Sequence, residues 1–147
     1  MITITTYTQN DKADHAVLNE IKTFLHQHLE QYGDSIPDIG KAMDYAMGVD
    51  GKPGGHIIEA RDEKNELLGA TVINTTGMSG YIPENILVYI ATHSKARGLG
   101  IGKQLMQKAI EETTGDMALH CDADNPARHL YEKLGFQNKY LEMRLKK

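Results

Sequence analysis

The sequence predicts a mixed α/β domain, one sheet with helices on its faces, in the order βααβββαβαβ. Three observations carry this prediction. Residues 85–92, NILVYIAT, are nearly all apolar, which suits a strand buried on both faces of a sheet. Three glycines at alternating positions follow, Gly98, Gly100 and Gly102, and an amphipathic run opens at Ile101, so strand, turn and helix succeed one another. Elsewhere strand and helix patterns do not alternate strictly, which excludes a doubly wound parallel sheet.

The elements follow from local patterns. ITITTYT (2–8) alternates and is rich in β-branched residues, a strand. From Ala13 to Tyr32 the apolar residues Val17, Leu18, Ile21, Leu25, Leu29 and Tyr32 share one helical face. Gly33 and DSIPDIG break that helix, 38–47 forms a second, and GVDGKPGG (48–55) is a loop by its glycine and proline content. HIIEA (56–60) and ELLGATVIN (66–74) are strands on either side of the polar turn RDEKN. After 85–92 and the glycine turn, a helix runs from Ile101 to Thr114, closed by Gly115, and MALHCD (117–122) is the next strand. NPARHLYEKLG is a helix with Asp124 or Asn125 as cap, Pro126 in its first turn and Gly135 past its end. QNKYLEMRLK supplies the last strand or strands.

The chain of 147 residues fits one domain, 1–147, with no repeat or linker. A net charge of -4 argues against a nonspecific nucleic-acid binder and is compatible with a cationic substrate. The single cysteine, Cys121, rules out an internal disulfide and points to a reducing compartment. No signal peptide pattern is evident, and no apolar run approaches the roughly 20 residues that span a bilayer. The expectation is a cytoplasmic domain with no membrane partner.

The stretch SKARGLGIGKQL (94–105) is the first chemical clue. A phosphate-loop NTPase signature would need glycine at Arg97 and serine or threonine at Gln104. The dinucleotide fingerprint would need its third glycine at Lys103 or Leu105. Both fail. What survives is their shared physics: a strand enters a glycine turn that opens a helix, where unpaired N–H groups and the helix dipole attract an anion. Arg97 and Lys103 add positive charge. A turn that merely needs positive φ is the competing account.

The second clue is NPARHLYEKLGF (125–136), in which Ala127, Leu130, Tyr131 and Leu134 share a helix face and Tyr131 points at the sheet. Alone, that tyrosine reads more often as a core residue with one hydrogen bond than as a catalytic one. Together the two stretches resemble the GNAT superfamily of N-acetyltransferases. The family's R/Q-x-x-G-x-G/A loop corresponds to Arg97-Gly98-Leu99-Gly100-Ile101-Gly102, and its later motif to Asn125, Ala127, Tyr131, Gly135 and Phe136. The likeness is specific over 85–136 and architectural before it. It departs after Phe136, where about eleven residues are short for the usual terminal hairpin.

The resemblance implies a fold whose central strands splay, and acetyl-CoA as co-substrate with no metal. It implies pyrophosphate on the loop amides from Gly98 to Lys103 (Gly98, Leu99, Gly100, Ile101, Gly102, Lys103), with Arg97 at the entrance. The pantetheine arm would pair with the strand edge at Ile90, Ala91 and Thr92 and touch Asn125. Tyr131 would protonate the departing thiolate. The implied partner is an amine acceptor, and the protein a monomer or homodimer.

Acetyl transfer to an amine requires the amine to lose a proton, a donor for the tetrahedral oxyanion, and an acid for the thiolate. A strand-end amide at Ala91 or Thr92 fits the second need, and a phenol of pKa ~10 the third. Glu84, at the start of the central strand, is the expected base, with His120 and Asp122 as alternatives or a water chain in their place. Competing readings are a solvated strand-end carboxylate for Glu84, a capping network for Asp122 and a sheet-edge histidine for His120. His26 and His28 lie two apart on a helix and cannot pair as metal ligands. Strand alternation makes Cys121 a small buried residue. Asp34, Asp38 and Asp44, on the first two helices or their junction, are consistent with a cationic acceptor, as with a solvated charged face. A non-catalytic acyl-CoA sensor would keep the loop without needing Tyr131. An acyltransferase using another acyl-CoA or a hydroxyl acceptor is a further reading.

Overall fold

A computed structural model describes residues Met1–Lys147. Five strands form one sheet in sequence order: β1 Thr3–Tyr7, β2 Gly55–Arg61, β3 Leu67–Thr75, β4 Asn85–Thr92 and β5 Met117–Leu119. The first four are antiparallel neighbours, and β5 joins β4 in parallel. Four helices accompany them: α1 His15–His28, α2 Ile36–Ala46, α3 Ile101–Glu112 and α4 Arg128–Lys133.

Two apolar layers hold this arrangement. On one face α1 and α2 bring Ile21, Leu25, Ile39 and Met43 onto Ile57, Ala70, Val72 and Tyr89 of the sheet. On the other, Ile101, Leu105, Met106 and Ala109 of α3 meet Ile58, Ala60, Ile73 and Leu87, and α4 adds Tyr131. Each helix shows a stripe at 3.6-residue spacing, so one side is buried and the other wet. Asp14 caps α1 by accepting the Val17 N–H at 2.9 Å, and Ser35 caps α2 through the Asp38 N–H at 3.4 Å.

Several expectations are corrected. The first helix stops at His28 because Glu30 takes a left-handed backbone (φ 56°), and 30–32 is a short 3₁₀ turn. Strand β4 is not buried on both faces: every second residue is half-exposed. Strand β5 ends at Leu119, so alternation does not reach Cys121, which is exposed. The last helix begins at Arg128 rather than at a cap on Asp124 or Asn125; the Asn125 side-chain Oδ1 instead accepts the Ala127 N–H at 2.9 Å in the preceding turn. The expected final strand is absent. From Gln137 onward no residue makes a backbone hydrogen bond, and Tyr140, Leu141, Met143 and Leu145 are each at least 80% exposed. A strand needs a paired edge as well as an alternating pattern, and no edge of this chain meets 137–147.

Candidate active site

The site begins with an irregularity in β4. Val72 of β3 pairs with Tyr89, and the next residue, Ile73, with Leu87, so Val88 is an extra residue, a β-bulge. The bulge shifts the phase of the strand. Leu87 and Ile90 face the α3 layer, whereas Val88, Tyr89 and Ala91 face α1 and α2. An apolar run carries no alternation that would betray such a slip, so the sequence held no signal for it.

The bulge sits where β4 and β5 part. Their pairing covers only Asn85–Leu87 and Met117–Leu119, and beyond Leu87 the β4 edge is free. The expected splay is therefore present. The His93 N–H donates to the Leu68 carbonyl of β3 at 2.8 Å. Alternation then turns the Ala91 amide to β3 as well, leaving those of Ile90 and Thr92 on the free edge. Of the two amides expected to serve an oxyanion, that of Thr92 lies on the free edge and that of Ala91 is turned to β3.

At the end of β4 the chain makes a 3₁₀ turn at Ser94–Ala96 and enters the glycine loop. The three glycines do different work. Gly98 (φ 84°) and Gly100 (φ 78°) are left-handed, with open space where a Cβ would stand. Gly102 lies inside the first turn of α3, where a Cβ would be 3.3 Å from Leu130 of α4 and 3.8 Å from the Thr92 methyl. It lets strand end, helix start and α4 converge. Gly100 occupies the cap position of α3 and has no side chain to cap with. The amides of Gly98, Gly100, Ile101, Gly102 and Lys103 consequently have no hydrogen-bond partner within the protein. Ile101 contributes only its backbone, for its side chain is buried in the core, while Leu99 is 65% exposed.

The Tyr131 side chain is buried beside this convergence, its ring 6.1 Å from that of Phe136. Burial, with a smaller contribution from nearby Cys121, pushes its phenol up to about 12. Its hydroxyl makes no hydrogen bond to the protein and is not sealed from solvent. Asn125 spends its side-chain carbonyl on the Ala127 N–H and keeps its amide hydrogens unengaged.

A connector between α1 and α2, overlooked in the sequence, reaches all parts of this site. Glu30 lies 3.3 Å from the Arg97 guanidinium, and the Tyr32 hydroxyl comes within 3.5 Å of the Asp124 carbonyl, beside Asn125. The hydroxyl of Tyr89, buried on β4, donates to Asp34 Oδ2 at 2.6 Å. Burial, reinforced by the Asp34 carboxylate, raises the Tyr89 phenol well above its ordinary value. All three find partners far away in the sequence, a long-range arrangement without local signature. His28, at the end of α1, stacks on His93 with ring centroids 4.4 Å apart, and burial lowers its pKa.

The structure does not bring Glu84 together with these residues. Glu84 precedes β4 at the opposite end of the strand, and at about 3.3 Å per residue that is roughly 25 Å from Thr92. Its carboxylate accepts the Asp116 N–H at 3.0 Å, and that backbone hydrogen bond is the first cause of its lowered pKa. It secures the turn before β5. His120 and Asp122 are exposed beyond the end of β5. No group of three His, Cys, Asp or Glu side chains is placed to hold a metal ion, and no helix is long and apolar enough to cross a membrane.

Comparison with known proteins agrees with this geometry. The family model for the acetyltransferase (GNAT) domain matches residues 53–138, from the loop before β2 to just past α4. The structure superposes on a NatC complex bound to Gag peptide and CoA, with TM-score 0.73 at 21% identity, covering 95% of this chain and 86% of that one. For the ribosomal-protein-S18-alanine N-acetyltransferase from Escherichia coli the values are 0.68 and 15%, covering 95% and 80%. For a transcriptional regulator from Bacillus halodurans C-125 they are 0.68 and 23%, covering 99% of each chain. At these identities the likenesses establish the fold. A search of curated protein sequences finds no match. A splayed β4–β5 pair, a glycine loop opening α3 and a family match spanning both lead to one assignment: the chain belongs to the GNAT acetyltransferase family.

Proposed function

We propose that this protein transfers an acetyl group from acetyl-CoA to a primary amine of a small molecule or peptide, by direct attack in a ternary complex. One observation carries the reading: five consecutive-turn amides, Gly98, Gly100, Ile101, Gly102 and Lys103, lie unpartnered at the end of a strand with a free edge. Such an array fits a pyrophosphate, and Arg97 and Lys103 supply its countercharge. The free β4 edge at Ile90 and Thr92 offers the N–H and C=O groups that an amide-containing pantetheine arm needs, with the Asn125 amide across the splay.

In the reaction the amine nitrogen forms its bond to the acetyl carbon, the carbonyl oxygen takes up charge, and the C–S bond breaks as the oxyanion collapses. The Thr92 or Ile90 amide donates to that oxygen. Tyr131 donates its phenolic hydrogen to the departing sulfur. With its pKa pushed up to about 12, the phenol is protonated throughout the neutral range. The same shift makes complete transfer to a thiolate of pKa ~8.5 uphill. Tyr131 therefore acts as a hydrogen-bond donor while the bond breaks, not as the matched acid its ordinary pKa implies. With Glu84 removed from consideration, the amine's proton leaves through water.

The test is thiol release from acetyl-CoA across a panel of polyamines, aminoglycosides, amino acids and peptide N-termini. Turnover with an amine supports the reading; failure to bind CoA in calorimetry ends it. A second reading, a non-catalytic acyl-CoA sensor, draws support from the distance of Glu84 from the site. It predicts CoA binding without turnover on any acceptor.

A further inference from the structure

Cys121 and Tyr131 meet where the sheet parts. The last pair of the β4–β5 ladder joins Leu87 to Leu119. On the β3 side, one step of the ladder carries β4 from Leu87 to Tyr89, so a second step reaches Ile90. Two steps past Leu119 on the other strand stands Cys121. The cysteine is thus on the β5 wall of the splay, level with Ile90, whose amide lies on the free edge opposite. It is exposed and outside regular structure. Beside it Tyr131 is only 6% exposed, and its hydroxyl has no protein partner yet is not sealed off. Buried polar groups are paired as a rule, so a phenol left this way is aimed at a partner from outside the chain. Cys121 is near enough to help raise that phenol, so thiol and hydroxyl share one space.

We propose that Cys121 is a redox modification site, forming a mixed disulfide with coenzyme A seated in the splay. This site rests on the acetyl-CoA reading, in which Tyr131 donates to the coenzyme's sulfur; that sulfur and Cys121 Sγ then flank one hydroxyl. The co-reactant is the disulfide of coenzyme A. One half takes the glycine loop and the β4 edge, and the Cys121 thiolate attacks the sulfur of that half. A bond forms between Sγ and the seated sulfur, and the original S–S bond breaks. The other half leaves as a thiolate and takes up the proton that Cys121 lost. The cysteine is oxidised and the released half reduced, so no further oxidant is needed.

The surroundings make this thiol selective. Burial raises its pKa first, and Asp122 and Glu132 add to the rise against a lowering by Arg128. Little thiolate is present at neutral pH, so disulfides free in solution react slowly. A seated one gains from proximity. Cys121 is the chain's only cysteine, so no second thiol resolves the adduct. The coenzyme stays in the seat that acetyl-CoA needs, and turnover stops until an external dithiol restores it.

The test incubates the reduced full chain with coenzyme A disulfide and, at matched concentration, with 2-hydroxyethyl disulfide, following intact mass. Calorimetry with reduced coenzyme A runs alongside. The expected result is one coenzyme A moiety per chain, formed about 100-fold faster than the hydroxyethyl adduct, mapped to Cys121 and removed by dithiothreitol. Cys121→Ser should bind coenzyme A like the wild type and take up none. Coenzyme A binding without an adduct, or an adduct formed no faster than with the small disulfide, overturns the modification site alone. Failure to bind coenzyme A overturns the acetyl-CoA reading with it.

Discussion

Glu30 stands 3.3 Å from the Arg97 guanidinium, so the arginine beside the glycine loop already has an anion. The glutamate is held there on a left-handed backbone (φ 56°), a conformation costing of order 1 kcal/mol for a residue with a side chain. Both side chains are 52% exposed, and a pair so wet contributes at most about 1 kcal/mol. An incoming pyrophosphate has to compete with it. Glu30→Gln is therefore expected to tighten CoA binding about two- to fivefold in calorimetry at low salt, with the gain shrinking as salt is added.

Tyr131→Phe removes the donor to the departing sulfur while keeping the ring that packs against Phe136. The expected result is a fall in kcat of about 10²- to 10⁴-fold with CoA affinity unchanged. Steady-state kinetics with calorimetry separate the two quantities. An unaltered kcat would make Tyr131 a packing residue only.

Glu84→Gln is expected to leave kcat unaltered, since the carboxylate is bound to the Asp116 amide at the far end of β4. Its effect should fall on stability, a lower midpoint in denaturant unfolding from weakening the charged hydrogen bond to the Asp116 N–H. A large loss of kcat at unchanged stability would return Glu84 to the chemistry.

The loop glycines should respond unequally. Gly100→Ala forces a side chain into left-handed backbone and is expected to cost about 1–2 kcal/mol. Gly102→Ala adds a methyl 3.3 Å from the flexible end of Leu130, inside a helix where alanine is favoured by about 1 kcal/mol. It should be near neutral. Thermal unfolding of the two variants gives the comparison directly.

Stability should fall in alkali. Tyr7 and Tyr131 both have phenols pushed up to about 12, in each case first by burial, and Tyr89 is raised in the same direction. A raised phenol pKa means that the folded state holds its proton more tightly than the unfolded chain. The contribution is complete below pH ~10, the unfolded value, and disappears as pH rises toward 12. Melting temperature followed from pH 8 to 11.5 is expected to be level at first and to drop steeply above 10.

The strand–loop–helix unit at 85–112 was legible because its parts are local: an apolar run, glycines at a turn, and a stripe at helical spacing. Asn125 and Tyr131 were legible through the family pattern. What escaped depends on contacts distant in sequence. Glu30, Tyr32 and Asp34 acquire their partners only when α1 lies on the sheet. That Glu84 lies at the far end of β4 from the glycine loop was not legible either, because adjacency to a strand does not say which neighbours its end will meet. The last strand was expected over 137–146, but a strand also needs an edge to pair with, which local sequence does not reveal.

Val88 has one more consequence. With an extra residue there, β4 is written in two frames, and a side chain's layer depends on which side of the insertion it lies. Removing that single residue would leave Ile73 opposite Leu87 and Val72 opposite Tyr89 in unbroken alternation, every side chain still in its own layer, and would take away only the local bend of the strand. A change of length is thus absorbed at position 88, whereas one elsewhere in β4 would carry side chains to the opposite layer. Residue 88 is therefore the one place in the strand where the sheet's register sets no demand, and what it supplies is the shape of the β4 edge where β5 departs.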